Sequence, residues 1–275
     1  MSTASPTGRK ANAVLGGALI ATVLAGALIG VVWTPADPLG IDFTARLQAP
    51  GAQHWLGTDE FGRDVLSRIL AGAASSSLIS LLTVTLAVIA GTLLGVVAGY
   101  YRGASDGVLM TLNDALLAFP GLLLALGLLT AIGPGKYGVV LALALAYMPS
   151  VLRVVRGAVL SLREKEFVEA SRAMGNSEVF TVLRHILPNC LAPLIVLATS
   201  MFGWVLLSES ALSFLGLGVP PPAPTWGNML ASSRGYISQA PWLGIFPGLC
   251  ISLALLGINL LGDALRDRLD PRMRR

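Results

Sequence analysis

Residues 71–101 read AGAASSSLISLLTVTLAVIAGTLLGVVAGYY, from Ala71 to Tyr101, with no acidic or basic side chain before Arg102. A hydrocarbon core about 30 Å thick is crossed by about 20 apolar helical residues, so this stretch by itself predicts a transmembrane helix. Ala13 to Trp33 forms a comparable run on the N-terminal side. On the C-terminal side follow Ala115 to Gly135, between Asp114 and Lys136, and the shorter Tyr137 to Leu152, closed by Arg153. Ile186 to Ser208 and Trp242 to Leu261 complete the set, the last closed by Asp263. Between Glu209 and Arg234 the chain is also uncharged, but Pro220, Pro221, Pro222 and Pro224 break any helix there. The pattern predicts six spans in an all-α polytopic membrane protein, with the fourth the shortest.

The composition agrees. The 275 residues are 54% hydrophobic and only 12% charged, about half the share that covers a soluble surface. Cys190 and Cys250 both lie in apolar surroundings and supply neither a disulfide framework nor a cysteine metal site. The formal charge of +4 is not gathered into one basic face of the kind that binds nucleic acid.

Arg9 and Lys10 followed by apolar residues also describe a secretory signal, and Ala25-Gly26-Ala27 resembles a cleavage site. That triplet lies inside a run that continues through Val31 and Val32, longer than a signal core, which favours a retained anchor. With the N-terminus inside, the inside segments carry Arg9, Lys10, Arg102, the cluster Arg153, Arg156, Arg163, Lys165, Arg172 and Arg184, and the terminal Arg266, Arg268, Arg272, Arg274 and Arg275. Only Arg46, Arg63, Arg68, Lys136 and Arg234 fall outside. The asymmetry places both termini in the cytoplasm. The expected organisation is a cytoplasmic tail over 1–12, a first span over 13–33, an extracytoplasmic segment over 34–70, a core over 71–262 that includes a cytoplasmic loop at 153–185, and a cytoplasmic tail over 263–275. Trp33, Trp204 and Trp242 are expected at outer span ends, where interfacial aromatics collect. Pro120, Pro149, Pro193, Pro247 and the span glycines read first as packing and bending devices, and alternatively as hinges.

The inside loop is more than a connector. Ser161 to Gly175, SLREKEFVEASRAMG, reads as a short amphipathic helix stopped by Gly175, which takes the left-handed conformation that ends helices. Phe167, Ala170 and Met174 recur at helical spacing, and a second helical stretch with Val179, Phe180, Val182, Leu183 and Ile186 leads to Pro188. A glycine turn between two short helices can present a rigid knob to another protein. Periodicity alone also fits a solvated linker.

This segment resembles the EAA loop of the membrane-spanning subunits of ABC importers: Glu-Ala-Ala, three residues, glycine, then Ile-x-Leu-Pro. Here Glu169-Ala170-Ser171 is followed by Gly175 and by Leu187-Pro188, with Ser171 where alanine is usual and His185 in the isoleucine position. Three further stretches are similar to the C-type permeases of the dipeptide, oligopeptide and nickel group: His54 to Arg68 (HWLGTDEFGRDVLSR), Leu212 to Val219 with Trp226-Gly227, and Asn259 to Pro271. The resemblance implies a type I importer permease that forms half of a translocation pathway for di- or oligopeptides. It further implies that the loop, through Glu169, Ala170, Ser171, Gly175, His185, Leu187 and Pro188, docks on an ATP-binding subunit. The implied partners are a second permease chain, two ATPase subunits carrying ATP and Mg, and an extracytoplasmic solute-binding protein. Nickel, a metal chelate or another small solute is the alternative cargo.

The chain itself has no phosphate-binding loop, since Gly133-Pro-Gly-Lys136 has the wrong spacing and is followed by Tyr137. His-Glu-x-x-His is also missing and the two histidines, His54 and His185, are expected on opposite sides of the membrane, so no catalytic residue, cofactor or metal is expected in this chain. A secondary transporter, the rival class, commonly carries ionisable residues within its spans and repeated halves. This sequence shows only Glu209, expected at an outer edge. His54 beside Trp55 is expected to be a surface residue, His185 either a contact to the ATPase or a local cap, and Asp59, Arg63, Asp64 and Arg68 an outer helix with ion pairs along one face.

Overall fold

The computed structural model describes residues 6–269, with side chains from 11 to 268. Arg9, Lys10, Arg272, Arg274 and Arg275 of the inside charge count therefore lie outside the described side chains, and 270–275 of the C-terminal tail outside the described residues. Ten helices are described: α1 (Pro6–Val32), α2 (Val65–Tyr101), α3 (Gly103–Leu117), α4 (Gly121–Ile132), α5 (Lys136–Leu162), α6 (Glu166–Ala173), α7 (Glu178–Thr181), α8 (Leu187–Phe214), α9 (Trp226–Ser233) and α10 (Trp242–Leu269). A turn of π-helix, Val182–Ile186, joins α7 to α8. No strand is present among the described residues. Five helical stretches are long and apolar enough to cross a membrane: α1 from Ala11, α2, α5, α7–α8 taken together, and α10.

The third expected run, Ala115 to Gly135, is not one helix. Pro120 disfavours helical backbone at Phe119, and the axes of α3 and α4 meet there at 95°. The direction of the neighbouring helices shows what this broken pair does. Gly91, Gly95 and Gly99 of α2 lie against Val151, Val155 and Val159 of α5 in step, so α2 and α5 run parallel. The chain therefore leaves α2 at one end of the bundle and must enter α5 from the other. Rising about 1.5 Å per residue, α3 and α4 cover roughly 22 and 18 Å, so they return the chain only together.

This parallel seam is the centre of the core. A Cβ on Gly91, Gly95 or Gly99 would come within 2.6, 2.8 and 2.9 Å of the opposing valine Cβ atoms, so only glycine lets the two backbones approach this closely. Val151, Val155 and Val159 are completely buried. The remaining long helices alternate. Gly16 meets Leu260 while Gly257 meets Leu19, and Gly203 meets Ile258 while Gly262 meets Thr199. α10 is thus antiparallel to both α1 and α8. Counting α3–α4 as one crossing gives six, and the start of α1, the end of α10 and the α5–α8 connection share one end of the bundle.

Helix bounds differ from the expected spans for electrostatic reasons. α2 starts at Val65 because the Asp64 carboxylate caps it, accepting from the Ser67 amide at 2.7 Å. α5 runs ten residues past Leu152 because Arg153 and Arg156 are paired with Asp114 and Asp106 of α3, at 2.5 Å each. α8 continues beyond Ser208 to Phe214, and α10 continues past Asp263. One consequence is that Trp204 is not at a span end: it lies ten residues inside α8, 61% exposed on its outer surface.

Candidate functional site

The elbow between α5 and α8 stands at the end of the bundle where Arg102 pairs with Glu164 at 2.7 Å and the Arg163 guanidinium donates to the Tyr100 carbonyl at 2.6 Å. An eight-residue helix is not stable alone in water, so α6 must be held. Glu166 and Glu169 stand in its first turn and Arg172 in its last, complementing the helix dipole. The Arg172 guanidinium also lies 5.3 Å over the Tyr100 ring. At its C-terminal end the Gly175 amide donates to the Arg172 carbonyl at 2.9 Å and the Asn176 amide to the Ser171 carbonyl at 3.2 Å. This is the paired closure that requires a left-handed residue, and Gly175 has φ +78°.

Two side chains fasten α6 to the rest. Val168 and Ser171 are completely buried. The Ser171 hydroxyl is 3.0 Å from that of Thr181 on α7 and accepts from the Asn176 amide group at 3.2 Å. The departure from alanine at this position thus carries a bond network that sequence reading missed. Ser177 caps α7 by accepting from the Phe180 amide. His185 packs between the Phe167 and Phe180 rings, with centroids 6.4 and 5.9 Å away. This packing is a local contact of the half-buried imidazole.

What remains outside sets large apolar side chains among charged ones such as Glu166, Glu169, Arg172 and Glu178. Phe167, Met174, Val179, Phe180 and Leu183 are 42–73% exposed, and Ala170 and Glu169 are exposed beside them. The periodic residues Phe167, Ala170 and Met174 point away from the bundle, whereas the buried contacts are Val168 and Ser171. Leu187 and Pro188 occupy the first positions of α8. The structure therefore brings Glu169, Ala170 and Gly175 to the outer side of the elbow, Ser171 and His185 to its joint, and Leu187 and Pro188 to its base.

At the opposite end, the expected outer helix through Asp59, Arg63, Asp64 and Arg68 does not form before Val65. The four side chains instead make a buried knot, each 4–6% exposed. Asp59 accepts from the Phe61 and Arg63 amides and from Arg63 Nε at 2.6 Å, and lies 3.4 Å from Arg68 Nε. His54 is bound to Asp64 at 3.0 Å. No group of three metal-ligating side chains occurs among the described residues. Arg68 and Ser67 also hold the carbonyl of Pro38 and the amide of Ala36, pinning residues 33–64 onto the first turn of α2.

Glu209 corrects a second expectation: it is fully buried rather than at a wet edge. One carboxylate oxygen accepts from Ser213 at 2.9 Å, and the other has no hydrogen-bond partner. Nearby, Trp226 fixes α9 to α2 through its indole N–H to the Ile69 carbonyl and its amide to the Ser76 hydroxyl. Trp242 Nε1 ties α10 to the outer segment at the Thr58 carbonyl.

Compared with known proteins, residues 91–275 match the family described as "Binding-protein-dependent transport system inner membrane component". A putative peptide transport system permease protein of Brucella suis biovar 1 is 44% identical over 266 residues, covering 97% of this chain and 90% of that protein. The dipeptide transport system permease protein DppC of Alkalihalophilus pseudofirmus is 44% identical over 262 residues, covering 95% and 86%. Among solved structures, the MetNI methionine ABC transporter in an inward-facing conformation superposes with a TM-score of 0.60 at 18% identity, over 74% of this chain and 96% of that one. The likeness to that structure is one of fold.

Proposed function

The chain belongs to the family of binding-protein-dependent transport system inner membrane components, and from that premise we propose that its α6–α7 elbow couples it to an ATP-binding partner while its spans form half of a pathway for di- or oligopeptides. It is a multi-pass permease subunit of an ABC importer and not itself an enzyme. The observation that carries the coupling role is the exposed apolar side of α6 and α7 at the charged end of the bundle. Large apolar side chains cluster on a surface where a partner covers them. In the proposed complex Glu169, Ala170 and Gly175 lie at the docking surface, Ser171 and His185 keep it rigid, and Leu187 and Pro188 pass its movement to α8.

The arginine and lysine asymmetry supports a cytoplasmic elbow with both termini on that side. The shared end of α1, α10 and the elbow is consistent with it. ATP and Mg belong to two partner ATPase subunits, a second and different permease chain supplies the other half of the pathway, and an extracytoplasmic solute-binding protein delivers cargo to the end that holds residues 34–64. ATP-driven closure of the ATPases shifts the elbow, and the spans follow because differential contact in the two states is what biases a two-state bundle. Peptide cargo rests on the names of the 44%-identical relatives.

The test is ATP-dependent dipeptide uptake in vesicles holding the full complex, native against Gly175→Arg. The site has open space but a positive φ, so the substitution disturbs the turn without a clash inside the spans. Lost uptake and lost ATPase co-purification with normal membrane insertion are expected; unchanged uptake and co-purification would refute the coupling role.

A further inference from the structure

Grooves along the bundle differ in the chemistry of their walls. One of about 530 Å³ between α8 and α10 is walled by residues such as Leu207, Phe214, Leu230, Ile251 and Leu255. Its serines, Ser210 and Ser252, are bonded to carbonyls of their own helices. Acyl chains satisfy such a wall. A groove of about 320 Å³ between α5 and α8 is unlike it, being lined by Tyr147, Ser150, Leu197, Ser200, Met201 and Trp204. The Tyr147 hydroxyl bonds across to Ser208 at 2.8 Å. The Trp204 indole N–H and the Ser150 hydroxyl have no partner within the described chain.

Depth makes this costly in lipid. At 1.5 Å per residue, Tyr147 and Ser150 lie roughly 16 and 21 Å from the start of α5, and Trp204 and Ser200 roughly 15 and 21 Å from the end of α8. These are mid-membrane levels, well away from the interface where a tryptophan N–H finds water. Unmet polar groups at that depth belong against protein or a water-filled cavity.

We infer that this groove is a wall of the solute pathway, with Trp204 and Tyr147 as its contacts to cargo, and that it receives the neutral amide backbone of a short peptide. The inference rests on the permease reading above and deepens it. No Asp, Glu, Lys, Arg or His lines the groove, so it offers no charge to select for or against cargo and no carboxylate or imidazole for a bare divalent cation. Hydroxyls that both donate and accept, beside an aromatic face, suit peptide groups.

The experiment uses the full complex in vesicles, with Cys190 and Cys250 replaced by alanine. Ser150→Cys and Trp204→Cys are compared with Leu249→Cys, 52% exposed on α10, for reaction with a charged, membrane-impermeant thiol reagent. The groove cysteines are expected to react at least tenfold faster than the α10 control, and to be protected by saturating dialanine but not by nickel chloride. In the native background, Trp204→Ala is expected to raise the uptake KM for dialanine roughly three- to tenfold. Reaction no faster than at the α10 control, reaction that dialanine leaves unchanged, or an unaltered KM would overturn the inference. If the native complex takes up no dipeptide, the cargo reading fails separately, and the ratio of labelling rates still decides whether the groove is wet.

Discussion

Along the α2–α5 seam three glycines admit Val151, Val155 and Val159 to complete burial, whereas the α6–α7 elbow leaves Met174 73%, Val179 63% and Leu183 58% exposed. Both regions are rich in apolar side chains, yet one satisfies them within the chain and the other does not. The seam is complete in one molecule, so changes there are expected to act on folding; in the proposed complex a partner completes the elbow, so changes there are expected to act on assembly.

The seam should break hardest. Gly95→Leu forces a side chain into a gap where even a Cβ would sit 2.8 Å from the Leu152 carbonyl oxygen and from Val155 Cβ. The expected cost is about 3 kcal/mol or more, read as loss of detergent-stable protein with ATPase association lost in proportion. Next comes the buried knot at the other end. Asp59→Ala takes from Arg68 its paired carboxylate and leaves Arg63 only the longer contact to Glu60 at 3.6 Å, and should cost about 3 kcal/mol, measured as a fall in thermal unfolding temperature, with Asp59→Asn milder because it still accepts from the backbone. Ser171→Ala sharpens the comparison within the elbow: about 1 kcal/mol is expected, since the Thr181 hydroxyl can turn to the Ser177 carbonyl of its own helix. Smallest in its effect on the fold is Met174→Glu, which touches only the exposed face. Its unfolding temperature should match the native chain while ATPase co-purification and uptake fall at least tenfold; retained co-purification would erase the contrast between the two regions.

How far the sequence foretold this depends on the kind of interaction. The long uncharged runs and the Gly175 stop were legible because each rests on local chemistry: hydropathy over a helix length, and a positive φ that glycine alone adopts readily. The seam was less so, although Gly91, Gly95 and Gly99 recur every four residues, because that spacing does not say which helix they face. The break at Pro120 was visible as a proline, but its consequence needed the parallel direction of α2 and α5. Spacing misled at Asp59, Arg63, Asp64 and Arg68, where i,i+4 intervals fit a helix but the pairing closes a buried turn. Trp204 and Glu209 were misplaced for one reason: α8 continues through a carboxylate that hydropathy treats as a boundary and the fold buries. In the elbow, the Phe167, Ala170 and Met174 stripe gave the amphipathic helix correctly, but periodicity carries no sign, and which face was inward was decided by Val168 and Ser171.

The most direct test of the elbow's role is a site-specific cross-link from Met174→Cys, with Cys190 and Cys250 replaced by alanine, to the ATP-binding subunit in the assembled complex. A short bifunctional thiol reagent should give a product at the summed mass of the two chains, with none from Leu249→Cys on α10. No product from Met174→Cys, in a complex that still transports, would refute docking at the elbow.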